Sequence, residues 1–374
     1  MNEMIIMSIF GTRPQFIKVA AIDEAIKEYK KESKVKIKHI LINTGQHYSY
    51  NMSSIFARDL FLKINYNLGV RKLKRKHQII EMKKRLLRIL PKFDPSIVFV
   101  YGDTNSTLAG ALAVKKLGFM LAHIESGMRS HKRNMPEEIN RIKTDNLSDF
   151  LFCVNREAKN NIKNEGIKSK VYIVGDVTFD YLIESMRSFA KKSAILNQLK
   201  LKPKRYVLFT IHRASNTGSI NRIKKILSCL KLVEGYVIWP IHPRTEKLIL
   251  KSKISIPKFI KIIKPVSYYD MLMLEKNARL ILTDSGGVQK ESYFFKIPCL
   301  TLRDETEWGE TLRFNANQLV GFKQSKIKKA LDNIVNNQVK FNRVKTFQDS
   351  KASIKIMHIV VEKIKKFNNL YDAE

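Results

Sequence analysis

Apolar runs of four to eight residues, rich in Ile, Val, Leu and Phe, recur along this chain, and each ends in a polar or glycine-bearing cluster. In the first half they are MIIMSIFGTR (4–13), KIKHILINTGQH (36–47), SIVFVYGDTN (96–105), FMLAHIESG (119–127), FLFCVN (150–155) and KVYIVGDV (170–177). The second half repeats the pattern with YVLFTIHR (206–213), YVIWPIHP (236–243), FIKIIKPV (259–266), ARLILTDSGG (278–287), PCLTLRDETE (298–307) and NQLVG (317–321). Segments of helical periodicity lie between them, such as PQFIKVAAIDEAIKEYKK and TLAGALAVKKLG. Short apolar strands alternating with helices predict an α/β fold with parallel sheets built from βαβ units.

Six such strands per half predict two Rossmann-like domains, residues 1–178 and 179–349, with the junction in the lysine-rich helical stretch 178–205. The segment 350–374 reads as one amphipathic helix that packs back on the first domain. In open α/β sheets ligands bind beyond the carboxyl ends of the strands, where all the polar clusters fall. The reactive site is therefore expected in a cleft that the two domains face.

Length and charge refine this picture. A chain of 374 residues exceeds what one core usually serves, which agrees with two domains. Lys and Arg number 69 against 34 Asp and Glu, a formal charge of +35 that favours anionic ligands. The basic residues are spread over the whole length and no nucleic-acid module accompanies them, so a nucleic-acid partner is not expected. A non-catalytic basic protein that binds nucleic acid or another anionic polymer is the alternative from a different class. No apolar run approaches the roughly 20 residues that span a bilayer, and no basic leader precedes the first strand. A cytoplasmic protein without a membrane span is expected. Cys153, Cys229 and Cys299 lack paired spacing and read as buried thiols.

The polar clusters carry the candidate chemistry. TDSGGVQKES (283–292) follows a strand and opens a helix, so its amides and paired glycines suit a phosphate, though an Asp/Ser cap with a glycine turn explains it equally well. In FGTRPQFIK, Arg13 offers a bidentate fork to phosphate and Lys18 a second cation, and a local ion pair is the competing explanation for Arg13. Asp103 ends one strand and His123 and Glu125 alternate along the next, while MPEEINR places Glu137 and Glu138 in the first turn of a helix. Carboxylates gathered at neighbouring strand ends drive their pKa values apart and can supply an acid and a base together. Helix capping accounts for Asp103 and for the Glu137/Glu138 pair when each is taken alone. His212, Arg213, His242 and Arg244 decorate strand ends of the second half without metal-ligand spacing.

Taken in order, GTRPQFIK, TGQH, GDTNSTLAGALA, HIESGMRS, MPEEINR, VGD, IHR, TDSGGVQKES and LRDETEW resemble the motifs of the non-hydrolysing UDP-N-acetylglucosamine 2-epimerase family over residues 4–321. The resemblance implies a glycosyltransferase-B-like fold, a UDP-2-acetamido sugar in the cleft, a homodimer, and no metal or nicotinamide cofactor. It implies inversion at C2 by anti elimination of UDP to a 2-acetamidoglycal and re-addition. It assigns acid/base work to Asp103, Glu125 and Glu137, a catalytic cation to Lys18, and a place near the diphosphate to His212. Phosphate contacts fall to Arg13, Arg213, Ser285, Gly286 and Gly287, the ribose to Glu291, and sugar or regulatory contacts to Gln46, His47 and His242. Gln15 stands where the family usually has glutamate. The loop RSHKRNM and the TEW after LRDE are similar to members acting on modified sugars such as UDP-2,3-diacetamido-2,3-dideoxyglucuronate, whose carboxylate would suit His131, Lys132 and Arg133. Hydrolysis to free sugar and UDP is the alternative within the same chemistry.

Overall fold

A computed structural model describes residues 3–46, 56–70, 73–132, 134–186, 193–211, 213–241, 243–252, 254–341 and 351–371. The chain divides into two compact units, one of residues 1–184 and 345–374, the other of residues 185–344.

The first unit is built on a seven-stranded parallel sheet. Its strands are β1 (Met4–Phe10), β2 (Ile37–Asn43), β3 (Tyr66–Asn67), β4 (Ile97–Tyr101), β5 (Leu121–Ser126), β6 (Phe150–Cys153) and β7 (Lys170–Ile173), in the order β3-β2-β1-β4-β5-β6-β7. Six of these are the runs that the apolar pattern predicts. The two-residue β3 is too short to show a period, and pairs with β2 only at Ile42 and Asn43. Near-continuous apolar strands such as IVFVY are buried along their whole length, as a sheet covered by helices on both faces requires.

The second unit repeats the plan with β8 (Tyr206–Thr210), β9 (Tyr236–Pro240), β10 (Ile260–Ile263), β11 (Leu280–Thr283), β12 (Cys299–Thr301) and β13 (Asn317–Leu319), ordered β10-β9-β8-β11-β12-β13. Its core gathers Phe209 edge-on against Trp239, with ring centroids 4.9 Å apart. Both orders are those of a doubly wound Rossmann sheet, in which the direction of winding reverses beside the first strand. The three cysteines are free and buried.

The helix Ala352–Tyr371 belongs to the first unit. Ala352, Ile356, Met357, Val360, Val361 and Ile364 form one buried stripe at helical spacing. His358 meets Tyr29 of the helix Arg13–Glu32 edge-on at 5.0 Å, and the Ser353 amide and hydroxyl donate to Asp180 Oδ2 at 2.6 and 2.7 Å. Among the described residues no helix is long and apolar enough to cross a membrane.

Candidate active site

In each unit the winding reverses between two strands, β1 and β4 in the first, β8 and β11 in the second, and the crevice of an open α/β sheet opens at that point. The polar clusters after those four strands are GTRP, GDT, IHR and DSGG, so the topology sets candidate residues where a ligand would bind.

Gln15 joins the first two of these turns. Its carbonyl accepts from the Gly11 and Thr12 amides at 2.8 and 3.1 Å, and its amide donates to Tyr101 O, Thr104 Oγ1 and Thr107 Oγ1 at 2.7, 3.0 and 3.0 Å. An ionised glutamate here would accept but could not donate to Tyr101 O, so the amide suits both sides of this buried junction. One turn further along the helix, Lys18 Nζ lies 2.7 Å from Glu125 Oε1, with both side chains largely buried. Glu125 is not in ordinary strand geometry. Its φ is +68°, and the pairing of β5 with β6 shifts between Ile124 and Ser126. The regular alternation that the sequence predicts through His123 and Glu125 is therefore interrupted. Gly102, with φ +60°, leaves room for the pair, because a Cβ there would sit 3.2 Å from Lys18 Nζ and 3.4 Å from Glu125 Oε1.

Asp103 caps nothing with its side chain in this structure; Thr104 caps the helix Asn105–Leu117 by accepting from Thr107 N. The Asp103 carboxylate instead meets Arg141 Nη2 at 2.5 Å. Arg141 also reaches Glu138 at 3.0 Å, three residues earlier on the helix Pro136–Leu147. Glu138 is 2% exposed and accepts from the Ser130 amide and hydroxyl and the His131 amide at 2.9 to 3.1 Å. That separates two neighbouring glutamates that look alike in the sequence. Glu138 anchors the loop before its own helix, whereas Glu137, half-buried, has no hydrogen bond or ion pair among the described residues. Arg141 lay unassigned in the sequence, although the spacing of Glu138 and Arg141 on a helix marks such a pair.

Arg13 stacks its guanidinium over the Phe56 ring at 4.4 Å, and its Nε is buried without a hydrogen-bond partner. Among the described residues no carboxylate pairs with it, and burial lowers its pKa to about 10. A cation held in this way is short of an anion. Gln46 has a bracing role in this structure, since its carbonyl accepts from Ser106 N and Oγ at 2.9 and 2.7 Å. His131 and Lys132 are exposed. His47, Arg133, His212 and His242 lie outside the described residues, as does the side chain of Arg244.

In the second unit Ser285 caps the helix Gly286–Phe294, accepting from Val288 N. The fully buried Asp284 accepts from Arg213 N at 3.0 Å and Asn216 Nδ2 at 2.8 Å, which pins the loop after β8 to the end of β11. Gly286 has a packing reason to be glycine. A Cβ there would stand 3.0 Å from Glu307 Oε1 and 3.1 Å from Trp308 Nε1. Glu307 pairs with Arg303 at 2.9 Å and lies 4.0 Å from Arg213. Glu291 is 7% exposed, one helical turn beyond Gly287. Glu275, with no exposure, faces it from the helix Tyr268–Asn277, and burial together with the Glu291 charge pushes the Glu275 carboxyl well up. Glu275 therefore keeps its proton to a higher pH than an ordinary carboxyl.

This pair makes stability depend on pH. Above the ordinary carboxylate pKa of about 4.3 the unfolded chain releases the proton that Glu275 keeps in the folded protein. Stability is then full in acid and falls as pH rises, by at most about 1.4 kcal/mol per pH unit, until the folded pair titrates. Glu275→Gln removes that slope. Calorimetry should show the variant melting above the wild type at pH 8, with the difference shrinking towards pH 5. A difference independent of pH would mean that Glu275 is ionised in the folded protein.

Among the described residues no group of three or more His, Cys, Asp or Glu side chains could hold a metal ion. Comparison with known proteins bears on the chemistry. A family model for UDP-N-acetylglucosamine 2-epimerase matches residues 27–361. A UDP-N-acetylglucosamine 2-epimerase homolog of Methanococcus maripaludis is 44% identical over 96% of this chain and 99% of its own. The UDP-2,3-diacetamido-2,3-dideoxy-D-glucuronate 2-epimerase of Pseudomonas aeruginosa is 41% identical over 85% of this chain and 88% of its own. The crystal structure of the Methanocaldococcus jannaschii UDP-GlcNAc 2-epimerase, in complex with UDP-GlcNAc and UDP, matches with a TM-score of 0.87 and 39% identity over 96% of this chain and 100% of that one. MurG of Acinetobacter baumannii shares the fold alone, with a TM-score of 0.51 at 12% identity.

Proposed function

Since the chain belongs to the UDP-N-acetylglucosamine 2-epimerase family, and is thus an isomerase of the α/β glycosyltransferase-B-like class, we propose that it inverts C2 of UDP-N-acetylglucosamine. The proton leaves C2 as the C1–oxygen bond to UDP breaks on the opposite face, giving a 2-acetamidoglycal. A proton then returns to C2 from the other side and UDP adds back at C1. The C2 proton is weakly acidic, so the reaction needs one group to take it and another to give it back, with cations that stabilise departing UDP.

The observation that supports this most is the unequal partnering of three carboxylates in the first unit. Asp103 is tied to Arg141 and Glu125 to Lys18, while Glu137 has no partner among the described residues. A reaction with one proton taken and one given needs two such groups held in different surroundings. Asp103, Glu125 and Glu137 are assigned the acid/base work, with Asp103 tied to Arg141, and Lys18, beside Glu125, is the catalytic cation. Arg13, Arg213, His212 and the Ser285–Gly286–Gly287 helix start are assigned to the diphosphate, and Glu291 to the ribose.

Incubation with UDP-GlcNAc in deuterated buffer should place deuterium at C2 of the product, read by NMR. Epimerisation without label would overturn the elimination route, and free sugar released with stoichiometric UDP would assign hydrolysis. A second substrate, UDP-2,3-diacetamido-2,3-dideoxyglucuronate, is favoured by the exposed His131 and Lys132 on the loop between Glu125 and Glu137. Running both nucleotides side by side decides by kcat/KM which sugar the loop admits. A cytoplasmic homodimer goes with this reading, and light scattering on the purified protein tests the dimer.

A further inference from the structure

Glu125 holds a left-handed backbone that a non-glycine residue adopts at a cost on the order of 1 kcal/mol or more, so neighbouring structure must enforce it. The enforcing groups are visible. Asp145, fully buried on the helix Pro136–Leu147, accepts from His123 Nδ1 through Oδ1 at 2.7 Å and from Gly127 N through Oδ2 at 3.2 Å. One carboxylate thus grips the residue two before Glu125 and the residue two after it. The other ring nitrogen, His123 Nε2, meets Gly102 O at 2.7 Å, and Gly102 N in turn donates to Ile124 O at 2.9 Å. Gly102 is the residue beside which Lys18 and Glu125 pair, and Asp103 follows it directly.

The grip is itself braced. Arg129 Nη2 lies 2.7 Å from Asp145 Oδ2, and Arg129 makes a two-point contact with Glu165, 2.7 Å from each oxygen, while its Nη1 donates to Met128 O. Burial works against the Asp145 charge, but His123 and Arg129 outweigh it and hold the carboxyl below its usual range. Both nitrogens of the His123 ring face oxygen acceptors, so the ring is satisfied on both sides when it carries two protons. None of these four side chains is assigned to the substrate.

We infer that His123 and Asp145 are positioning residues for the proton-transfer step, holding Glu125 and the Gly102–Asp103 turn in register for a substrate they never touch. The inference rests on the epimerase reading. A misplacement of about 1 Å at a reacting group costs on the order of 100-fold in rate. Asp145→Ala should therefore lower kcat about 100-fold while KM for the UDP-sugar stays within about threefold, because the groups assigned to UDP are untouched. Asp145→Asn should restore kcat to within about tenfold of wild type. Its amide can donate to a neutral His123 ring, and its carbonyl can accept from Gly127 N and Arg129, so the same geometry survives without the charge.

Should Asp145→Ala fail to fold, His123→Leu serves in its place. It leaves Asp145 its contacts with Gly127 and Arg129 and removes the His123 contacts with Asp145 and Gly102, and the expected result is again a fall in kcat at unchanged KM. Full kcat in folded Asp145→Ala or His123→Leu overturns the inference. So does a loss carried by KM, or a folded Asp145→Asn no better than the alanine variant. Absence of epimerisation by the wild type is a different failure, since it removes the functional reading first.

Discussion

Glu137→Gln should lower epimerisation by about 10² to 10⁴-fold, the range that a positioned acid or base contributes, while leaving stability within about 1 kcal/mol of wild type. The stability half follows from the structure and the activity half from the proposed acid/base role of Glu137. Glu137 makes no hydrogen bond or ion pair among the described residues, so its replacement by an isosteric amide removes no interaction of the fold. As a carboxylate in the first helical turn it gains a little from the helix dipole, which is worth only about 0.3–1 kcal/mol in an exposed setting. What glutamine cannot do is take or return a proton. Initial rates of C2 inversion, with calorimetric UDP binding as the control, check it. A variant that binds UDP and turns over at the wild-type rate would sink the acid/base assignment of Glu137.

The neighbouring residue should behave in the opposite way. Glu138→Ala is expected to destabilise the first unit by about 3–5 kcal/mol, the cost of removing one partner of a buried ion pair. Its carboxylate accepts from two loop amides and a hydroxyl and meets Arg141, and Arg141 is 4% exposed. Without Glu138 the buried Arg141 charge loses one of its carboxylates, and the Ser130 and His131 amides lose their acceptor. Denaturant melts measure the stability loss, and the activity lost with it should return in part under stabilising osmolytes, which favour the compact state. If Glu138→Ala melts like the wild type but is inactive, Glu138 is a chemical group and the division of labour between the two glutamates is reversed.

This contrast shows what the sequence could and could not convey about the site. Glu137 and Glu138 are the same residue type in the same helical turn, and both suit a helix start. A helix of 3.6 residues per turn turns them about 100° apart, and only the packed loop 130–131 shows which one it closes upon. Asp103 presents a similar case. Its place before a Thr/Ser cluster suggests a cap, yet Thr104 takes that duty and frees the Asp103 carboxylate for Arg141, 38 residues away. Glu125 was legible as a carboxylate at a strand end, but its left-handed backbone was not. Nothing in HIESG signals a register shift, which arises from the pairing of β5 with β6 and is held by Asp145 on another element.

Elements fared better than contacts. Twelve apolar runs became twelve strands of two parallel sheets, because a buried parallel strand needs a continuous apolar run whatever lies beside it. The polar clusters after those runs were equally legible, since helices on both faces leave the strand ends as the places where polar groups reach a ligand. The sequence by itself thus determined the α/β class, the strands, the ordered motifs and the set of residues from which a site could be made. The tertiary structure alone decided which charges pair, which glutamate has no partner among the described residues, and which buried histidine braces the turn beside Glu125. Strand and helix periods are local and repeat every few residues, whereas ion pairs and left-handed corners depend on side chains brought together from distant parts of the chain.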